Sequence, residues 1–323
     1  MNGNEPLSTL TDIERLRVVN FTQLLCKVSP RVSRQKPTSH DTLVQLGRGL
    51  IDKLEIYLPT TLLLSDTISK CNELGLKYKD KYLGKLFTLE IQIGTQTIHC
   101  VLGKQTSIEF NKVITNPSHG RFCSTTELNL IQLFGPTILN SKIYRIDFTT
   151  DIFEEYEQIL RGLNVKYKSA NVEYIGKSVR TGVKIGANND KVVIYNKALK
   201  EKVDKSWTRI ERQMSGSKVP IKKLIELRHA LPEILAFHPL GIVTLNNLEL
   251  IKPEFPKGEQ LERFYEFKTL IEHEGYYLTR KKLNKNNNFQ RDYGKFFTLT
   301  PYQYQPSDIF KSDIINFFQE VIQ

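Results

Sequence analysis

Between residues 87 and 214 the chain is a succession of short segments in which apolar and polar residues alternate, and turn residues separate the segments. Alternation with a period of two is typical of β-strands, because successive side chains of a strand point to opposite faces of a sheet. Residues 152–163 instead repeat with the period of an amphipathic helix. This order predicts an α+β fold, with a mainly antiparallel sheet and helices packed on one of its faces. The predicted strands are residues 87–93, 97–102, 107–114, 142–150, 165–167, 171–176, 182–187, 191–196 and 207–214.

Helical patterns flank the sheet region. Residues 11–28 and 42–57 have helical apolar spacing and are joined by a basic linker, so they form either a DNA-binding lobe or a cap on the main domain. Further helices are predicted over residues 125–134, from Ile221 onward, and over residues 259–273. We therefore expect a helical N-terminal segment (1–60), a catalytic α+β domain (61–250) and an α/β C-terminal extension that binds DNA (251–323).

Charge and cysteine content limit the class of protein. Lysine and arginine number 46 against 35 acidic residues, a net charge of +11 that favours a polyanionic partner such as nucleic acid. The four cysteines are widely spaced, which excludes a zinc knuckle and a dense disulfide framework. No stretch approaches eighteen apolar residues, and the N-terminus has no signal-peptide pattern. These features predict a cytoplasmic protein without a membrane partner.

Two tripeptides of the same design lie on separate predicted strands, Arg145-Ile146-Asp147 and Arg209-Ile210-Glu211. In each, the arginine and the carboxylate share one face of the strand, and the isoleucine lies on the other. If both isoleucines face the helices, Asp147 and Glu211 converge on the open face and offer oxygen ligands to Mg²⁺ or Mn²⁺. The alternative is that each arginine pairs with its carboxylate and holds the strands in register.

A third predicted strand offers a nucleophile. Within residues 191–197, Tyr195 and Lys197 share one face. A tyrosine hydroxyl has an ordinary pKa of about 10, so it needs a nearby cation or metal ion to become a nucleophile at neutral pH. Lys197 would provide the nearby cation, and an ion held by Asp147 and Glu211 would provide the metal. Tyr174 is the second candidate nucleophile and Tyr167 the third, and the non-catalytic alternative is a strand tyrosine that only packs.

Four segments in order resemble a known family. They are Tyr144-Arg145-Ile146-Asp147-Phe148-Thr149-Thr150-Asp151, Glu173-Tyr174-Ile175-Gly176-Lys177-Ser178, Val193-Ile194-Tyr195-Asn196-Lys197 and Trp207-Thr208-Arg209-Ile210-Glu211. Together they resemble the replication initiation factor family, which comprises Rep_trans-type initiators of rolling-circle plasmids and some phages, with related relaxases. The chain departs from the family pattern at Asn196, where aspartate is usual, and at Lys177, which separates the glycine and serine of the second segment.

The resemblance implies DNA strand transfer. Such a protein nicks one strand at an origin hairpin, stays joined to the 5′ phosphate through a tyrosine, and leaves a 3′ hydroxyl that primes rolling-circle replication. It implies a Mg²⁺ or Mn²⁺ ion and no nucleotide cofactor. The expected partners are double-stranded origin DNA with a hairpin, single-stranded DNA, a host helicase and a second copy of the chain in a homodimer. A conjugative relaxase, a non-catalytic origin- or operator-binding regulator of the same fold, and a structural or RNA-binding protein are the alternatives.

Basic residues are concentrated in two places. Residues 165–212 hold twelve basic residues against five acidic ones. Residues 275–297 interleave aromatic and basic side chains; the aromatics would either stack on unpaired bases or pack on the preceding helix. The predicted DNA contacts are Arg145, Arg209, Lys177, Arg180, Lys184, Arg280, Lys281 and Lys282.

Overall fold

The computed structural model describes residues 43–58, 64–83, 86–93, 96–105, 108–109, 111–115, 124–167, 171–176, 181–228, 237–255, 257–284 and 288–306. The helix predicted over residues 11–28, the basic linker that follows it, and the predicted DNA contacts Lys177 and Arg180 lie outside these ranges.

The described chain contains one large sheet and two small ones. The strands are β1 Leu43–Leu58, β2 Lys77–Leu83, β3 Leu86–Ile93, β4 Gln96–Gln105, β5 Ile108–Glu109, β6 Asn111–Thr115, β7 Ile143–Ile152, β8 Asn164–Val165, β9 Asn171–Ile175, β10 Gly182–Ala187, β11 Asp190–Asn196, β12 Thr208–Ser215, β13 Val243–Thr244, β14 Asn246–Leu250, β15 Phe297–Pro301 and β16 Gln303–Pro306. The large sheet has the order β2-β3-β4-β6-β1-β7-β12-β11-β10-β9, with β5 beside β4 and β16 beside β1. Its strand pairs are antiparallel except for β1 with β16. The mainly antiparallel α+β prediction is therefore confirmed.

Helices connect the strands and extend the C-terminal part. They are α1 Leu64–Glu73, α2 Ser124–Phe134, α3 Tyr156–Gly162, α4 Lys197–Glu201, α5 Gly258–Glu274, α6 Tyr276–Leu283 and α7 Phe289–Tyr293. Helices α2, α3 and α5 confirm three predicted helices, although α3 begins later than predicted because β7 continues to Ile152. In the described part of the helix predicted from Ile221 onward, Leu224–Arg228 form a 3-10 helix, and residues 229–236 lie outside the described ranges. In the described ranges, no helix has both the length and the apolar character that crossing a membrane requires.

The helix predicted over residues 42–57 is wrong, because residues 43–57 belong to β1, a central strand of the large sheet. Strand β1 lies between β6 and β7 and pairs with both. Its side chains Leu54, Ile56 and Leu58 are buried in the core. Apolar residues in this segment fit a helical period as well as a strand period, and two neighbouring strands decide between them because they satisfy its backbone hydrogen bonds. The proposed helical segment 1–60 therefore does not hold for residues 43–58.

The core lies on one face of the large sheet. Ile146 and Phe148 of β7 and Ile210 of β12 are buried there, and helices α1, α2 and α3 add Cys71, Leu130 and Ile159 to the same cluster. Cys71 and Cys100 are buried free thiols. The apolar residues of alternating strands thus turn toward the helices, which leaves the opposite face to the polar residues.

The aromatic residues of the C-terminal part form a second cluster. Phe264 and Phe267 of α5 pack with aromatic side chains from the segment that was predicted to bind bases or to pack on the preceding helix. The packed residues of that segment are Tyr276, Phe289, Phe296 and Phe297, all buried. Packing is therefore the correct alternative, and burial removes these four rings from contact with unpaired bases.

Candidate active site on the polar face

The predicted site residues of β7, β11 and β12 lie on the polar face. In the antiparallel register Tyr195 is directly opposite Arg209, and Glu211 is directly opposite Thr149. Asp147 is opposite Gln213, two residues along the strand from Glu211. Directly opposed residues share a face of the sheet. The structure therefore brings Tyr195, Asp147 and Glu211 to the same face, as alternation predicted.

The Tyr195 hydroxyl donates a hydrogen bond to Oε1 of Glu211 over 2.7 Å. The other carboxylate oxygen of Glu211 accepts from the side-chain amide of Gln213 over 3.0 Å. Burial raises the pKa of the Tyr195 hydroxyl well above its ordinary value, and the negative charge of Glu211 raises it further. At neutral pH the tyrosine is therefore protonated, and its proton points at a carboxylate.

Lys197 does not act on Tyr195 in the way its spacing predicted. Strand β11 ends at Asn196, whose side chain caps α4 by accepting from the backbone N–H of Leu199 over 2.8 Å. Lys197 is consequently the first residue of α4, and its ammonium pairs with Glu201. The lysine beside the Tyr195 ring is Lys200, whose Nζ lies 5.2 Å from the ring centroid. Asn196 therefore has a structural role as the N-cap of α4, which asparagine and aspartate fill equally well.

The two alternative tyrosines lie elsewhere. Tyr174 is directly opposite Val183, a buried residue of the core face, so it points away from Asp147 and Glu211. Its candidacy as the nucleophile at these carboxylates is wrong for that reason. Tyr167 donates a hydrogen bond to Asp190 over 2.7 Å, and Asp190 also accepts from Arg212. Tyr195 is therefore the tyrosine that the structure places beside Glu211.

Arg209 pairs with carboxylates other than that of its own tripeptide. Its guanidinium donates to both oxygens of Asp151, over 2.6 and 2.9 Å, and to Asp52 over 2.9 Å. Asp52 lies where the register of β1 against β7 shifts between Ile51 and Lys53. The sequence pattern predicted a helix over this segment and so did not indicate Asp52 as a partner of Arg209. The pairing predicted as an alternative, Arg209 with Glu211, is not the one that forms.

Arg145 does pair with the carboxylate of its own tripeptide. It donates to both oxygens of Asp147, each over 2.7 Å. Burial raises the pKa of Asp147 to about 6, and the nearby charge of Glu211 adds to the rise while Arg145 opposes it. Glu55 of β1 accepts from Lys112 over 2.9 Å and pairs with Lys53 over 2.8 Å.

We call these nine charged residues the polar cluster: Asp52, Lys53, Glu55, Lys112, Arg145, Asp147, Asp151, Arg209 and Glu211. When all are ionised, five carboxylates face four cations, so the polar cluster carries a charge of −1. Two further lysines near Tyr195 form no ion pair with a described residue: Lys191 on the same face of β11, and Lys200 beside the Tyr195 ring. The surroundings of Tyr195 therefore have a small net charge, with carboxylates and cations nearly balanced.

The donor chemistry at Asp147 and Glu211 suits a hard cation. Over the described residues, no three acidic, histidine or cysteine groups come close enough to hold a metal ion by themselves. Mg²⁺ is commonly held by one or two carboxylates together with water and substrate phosphates, so two carboxylates meet its requirement. An ion would compete with Arg145 for Asp147 and with Tyr195 and Gln213 for Glu211.

The described cations among the predicted DNA contacts mostly have acidic partners. Lys184 pairs with Glu173 over 3.0 Å, and Lys282 pairs with Glu274. Arg280, Lys281 and Lys282 form the exposed last turn of α6. Arg145 and Arg209 belong to the polar cluster. DNA binding by these residues stays a prediction.

Comparisons with known proteins give a distant structural likeness. No family model matches the chain, and no curated protein matches it. Among solved structures, the chain is similar to a rolling circle replication initiator protein from Geobacillus stearothermophilus, with 16% sequence identity and a TM-score of 0.35. The likeness covers 67% of this chain and 91% of that chain. The residues of the polar face therefore carry the functional argument.

Proposed function

We propose that this protein nicks and rejoins one strand of DNA, with Tyr195 as the nucleophile. The observation that carries the proposal is the 2.7 Å hydrogen bond from the Tyr195 hydroxyl to Glu211 on the polar face. A nucleophile and its base within hydrogen-bond reach are the usual signature of covalent catalysis. Arg209 lies directly opposite Tyr195 and provides a cation beside the nucleophile.

The hydrogen bond defines where the proton goes. As the Tyr195 oxygen forms its bond to phosphorus, its proton passes to Glu211, and the bond from phosphorus to the 3′ oxygen breaks. The 3′ oxygen takes a proton from solvent and becomes a hydroxyl. The reverse reaction regenerates tyrosine and a continuous strand, because the phosphotyrosine preserves the energy of the phosphodiester. The raised pKa of Tyr195 makes this transfer to Glu211 necessary, since no phenolate is present beforehand.

Charge neutralisation at the phosphate is the second requirement. Asp147 and Glu211 would hold a Mg²⁺ or Mn²⁺ ion, which when bound neutralises charge on the non-bridging oxygens. Arg209 is held in place by Asp151 and Asp52, so its guanidinium is positioned before DNA arrives.

The biological role follows from the order of the sequence segments. Their resemblance to the replication initiation factor family supports initiation of rolling-circle replication at an origin hairpin, and a conjugative relaxase would use the same chemistry. Origin DNA, a host helicase and a homodimer remain the predicted partners. A non-catalytic regulator is the competing proposal, favoured by one observation: Tyr195 is partly buried and already hydrogen-bonded.

A covalent adduct tests the proposal directly. Supercoiled DNAs that carry candidate origin hairpins are incubated with the protein and Mg²⁺ or Mn²⁺, and denaturing gels are read for protein–DNA adducts. Tyr195→Phe should bind DNA but form no adduct, whereas Tyr174→Phe should keep cleavage. Peptide mass spectrometry should find the oligonucleotide on the peptide with Tyr195. An adduct on another tyrosine would overturn the assignment, and hairpin binding without any adduct would favour the regulator.

A further inference from the structure

The charge on the polar face is unevenly distributed. Within the polar cluster the arginines and lysines are matched by carboxylates, whereas Lys191 and Lys200 near Tyr195 form no ion pair with a described residue. The edge strand β2 differs. Lys77, Lys79 and Lys81 are exposed and form no ion pair with a described residue. Their spacing of two residues puts all three on one face, with about 13 Å between the first and the third.

The register places this lysine row on the same face as Tyr195. Lys79 is opposite Glu90 in β3, and Glu90 is opposite His99 in β4. His99 is opposite Ile114 in β6, which is opposite Glu55 in β1. Glu55 belongs to the polar cluster. Tyr78, between the lysines, packs on the core instead. The polar face is therefore continuous from the edge strand to the site.

The local charge of the row is positive. On the same face of the neighbouring strand β3, the acidic residue is Glu90. Three lysines and one carboxylate give this part of the face a net positive charge. Two partly exposed rings, Tyr57 and Tyr144, lie on β1 and β7 with centroids 5.0 Å apart, and the register puts Tyr57 level with Lys81. Aromatic rings among cations suit nucleic acid, because bases stack while cations contact phosphates.

The distance to the site sets the size of the ligand. Seven strand spacings separate β2 from β11, about 34 Å across the sheet. Lys79 is level with Arg145 of β7 and Tyr195 is level with Asp151, six residues or about 20 Å further along the strands. The row is therefore roughly 40 Å from Tyr195, a little more than one turn of duplex DNA, and a duplex held at Tyr195 would reach it only if it continued for about twelve base pairs beyond the attacked phosphate.

We propose that Lys77, Lys79 and Lys81 form a distal binding site for the phosphodiester backbone of DNA whose other end lies at Tyr195. The proposal rests on the proposed function, because it takes the other end of the DNA to lie at Tyr195. Because carboxylates neutralise the cations of the polar cluster, the row adds three unpaired positive charges to the two lysines, Lys191 and Lys200, that remain unpaired near Tyr195. Lysines also protect edge strands from pairing with other chains, and that is the competing explanation.

The test is a binding experiment in EDTA, which separates binding from cleavage. Fluorescence anisotropy is measured over a range of salt concentrations, with single-stranded and duplex DNA in separate arms. In Lys77→Gln/Lys79→Gln/Lys81→Gln, affinity for long DNA should fall about ten- to a hundredfold at 0.1 M salt, and the salt slope for single strands should fall by about two. A loss confined to one arm identifies which form of DNA the row holds.

Three controls make the result specific. Lys223→Gln/Lys252→Gln/Lys257→Gln changes the net charge equally at exposed lysines outside the strands of the large sheet, and it should leave affinity unchanged. Lys77→Arg/Lys79→Arg/Lys81→Arg keeps the three positive charges and should retain the wild-type affinity for long DNA. DNA that ends within a few nucleotides of the attacked phosphate should bind equally to wild type and the glutamine variant.

Unchanged affinity of the glutamine variant for long DNA in both arms, or an equal loss in the control triple, would overturn the proposal. Neither result concerns the adduct at Tyr195, which is measured separately with the wild-type protein on hairpin DNA in the presence of Mg²⁺ or Mn²⁺. Failure of the lysine row and failure of the nicking chemistry are thus separate outcomes.

Discussion

Gly182 of β10 lies directly opposite Tyr195 of β11, and a Cβ atom at position 182 would stand 2.8 Å from the Cβ atom of Tyr195. The same atom would lie 2.8 Å from the carbonyl oxygen of Ile194. Contacts this short force a shift in one of the two strands. The absence of a side chain at Gly182 therefore allows Tyr195 to keep its place beside Glu211.

We expect Gly182→Ala to reduce strand cleavage more than it reduces stability. Displacing Tyr195 should lower the cleavage rate by about ten- to a hundredfold, and overpacking should cost about 1–3 kcal/mol in the free energy of unfolding. Single-turnover cleavage and urea denaturation measure the two effects. The control is Gly258→Ala, where an added Cβ meets no atom within 4 Å. Full cleavage by a folded Gly182→Ala protein would contradict the positional role of Gly182.

Glu211→Gln should remove the proton acceptor while it keeps the shape of the side chain. We expect the single-turnover rate of adduct formation to fall by about 10²- to 10⁴-fold, with DNA affinity nearly unchanged. The matched control is Glu173→Gln, because Glu173 is exposed on the same face and pairs with Lys184. A Glu211→Gln protein that cleaves at the wild-type rate would show that another group takes the proton.

The predicted divalent ion can be tested through Asp147. Cleavage should require added Mg²⁺ or Mn²⁺, and Asp147→Asn should raise the metal concentration for half-maximal cleavage by about tenfold or more. Hairpin affinity in EDTA should stay close to that of wild type. The control is Asp190→Asn, because Asp190 pairs with Arg212 on another part of the sheet. Metal titrations of cleavage are compared for the two variants. An unchanged metal requirement in Asp147→Asn would exclude Asp147 as a ligand.

His238 makes the folded state sensitive to acid. Burial lowers the pKa of His238 to about 3, and its Nδ1 accepts from the backbone N–H of Leu240. The unfolded chain binds a proton at this residue below about pH 6.5, and the folded chain does not, so stability falls as the pH falls below that value. The slope from this residue approaches about 1.4 kcal/mol per pH unit.

Urea denaturation of wild type and His238→Asn between pH 7 and pH 4.5 isolates this contribution. Asparagine can still cap the turn through its side-chain oxygen, but it does not titrate. We expect the variant to be less stable overall and to show a shallower loss of stability in acid. Parallel pH profiles for the two proteins would contradict the assignment to His238.

Local alternation was sufficient to predict which side chains of β7 and β12 share a face, and so that Asp147 and Glu211 meet on the polar side. Which side chains of a strand share a face does not depend on the neighbouring strands. The isoleucines of the two tripeptides are apolar, so their face was expected to be the buried one. The same alternation placed Tyr195 with Asp147 and Glu211. The α+β class also followed from local pattern, because the strand segments are short and have turns between them.

Tertiary structure decided the features that local pattern leaves open. Strand β1 has apolar spacing that suits a helix or a strand, and only pairing with β6 and β7 selects the strand and places Asp52 beside Arg209. Tyr174 has a definite parity in β9, but its face is set by the pairing of β9 with β10. The lysine row on β2 shares a face with Tyr195 because of the register across seven strand pairs. Such long-range register depends on backbone hydrogen bonds between distant segments, and no window of sequence contains them.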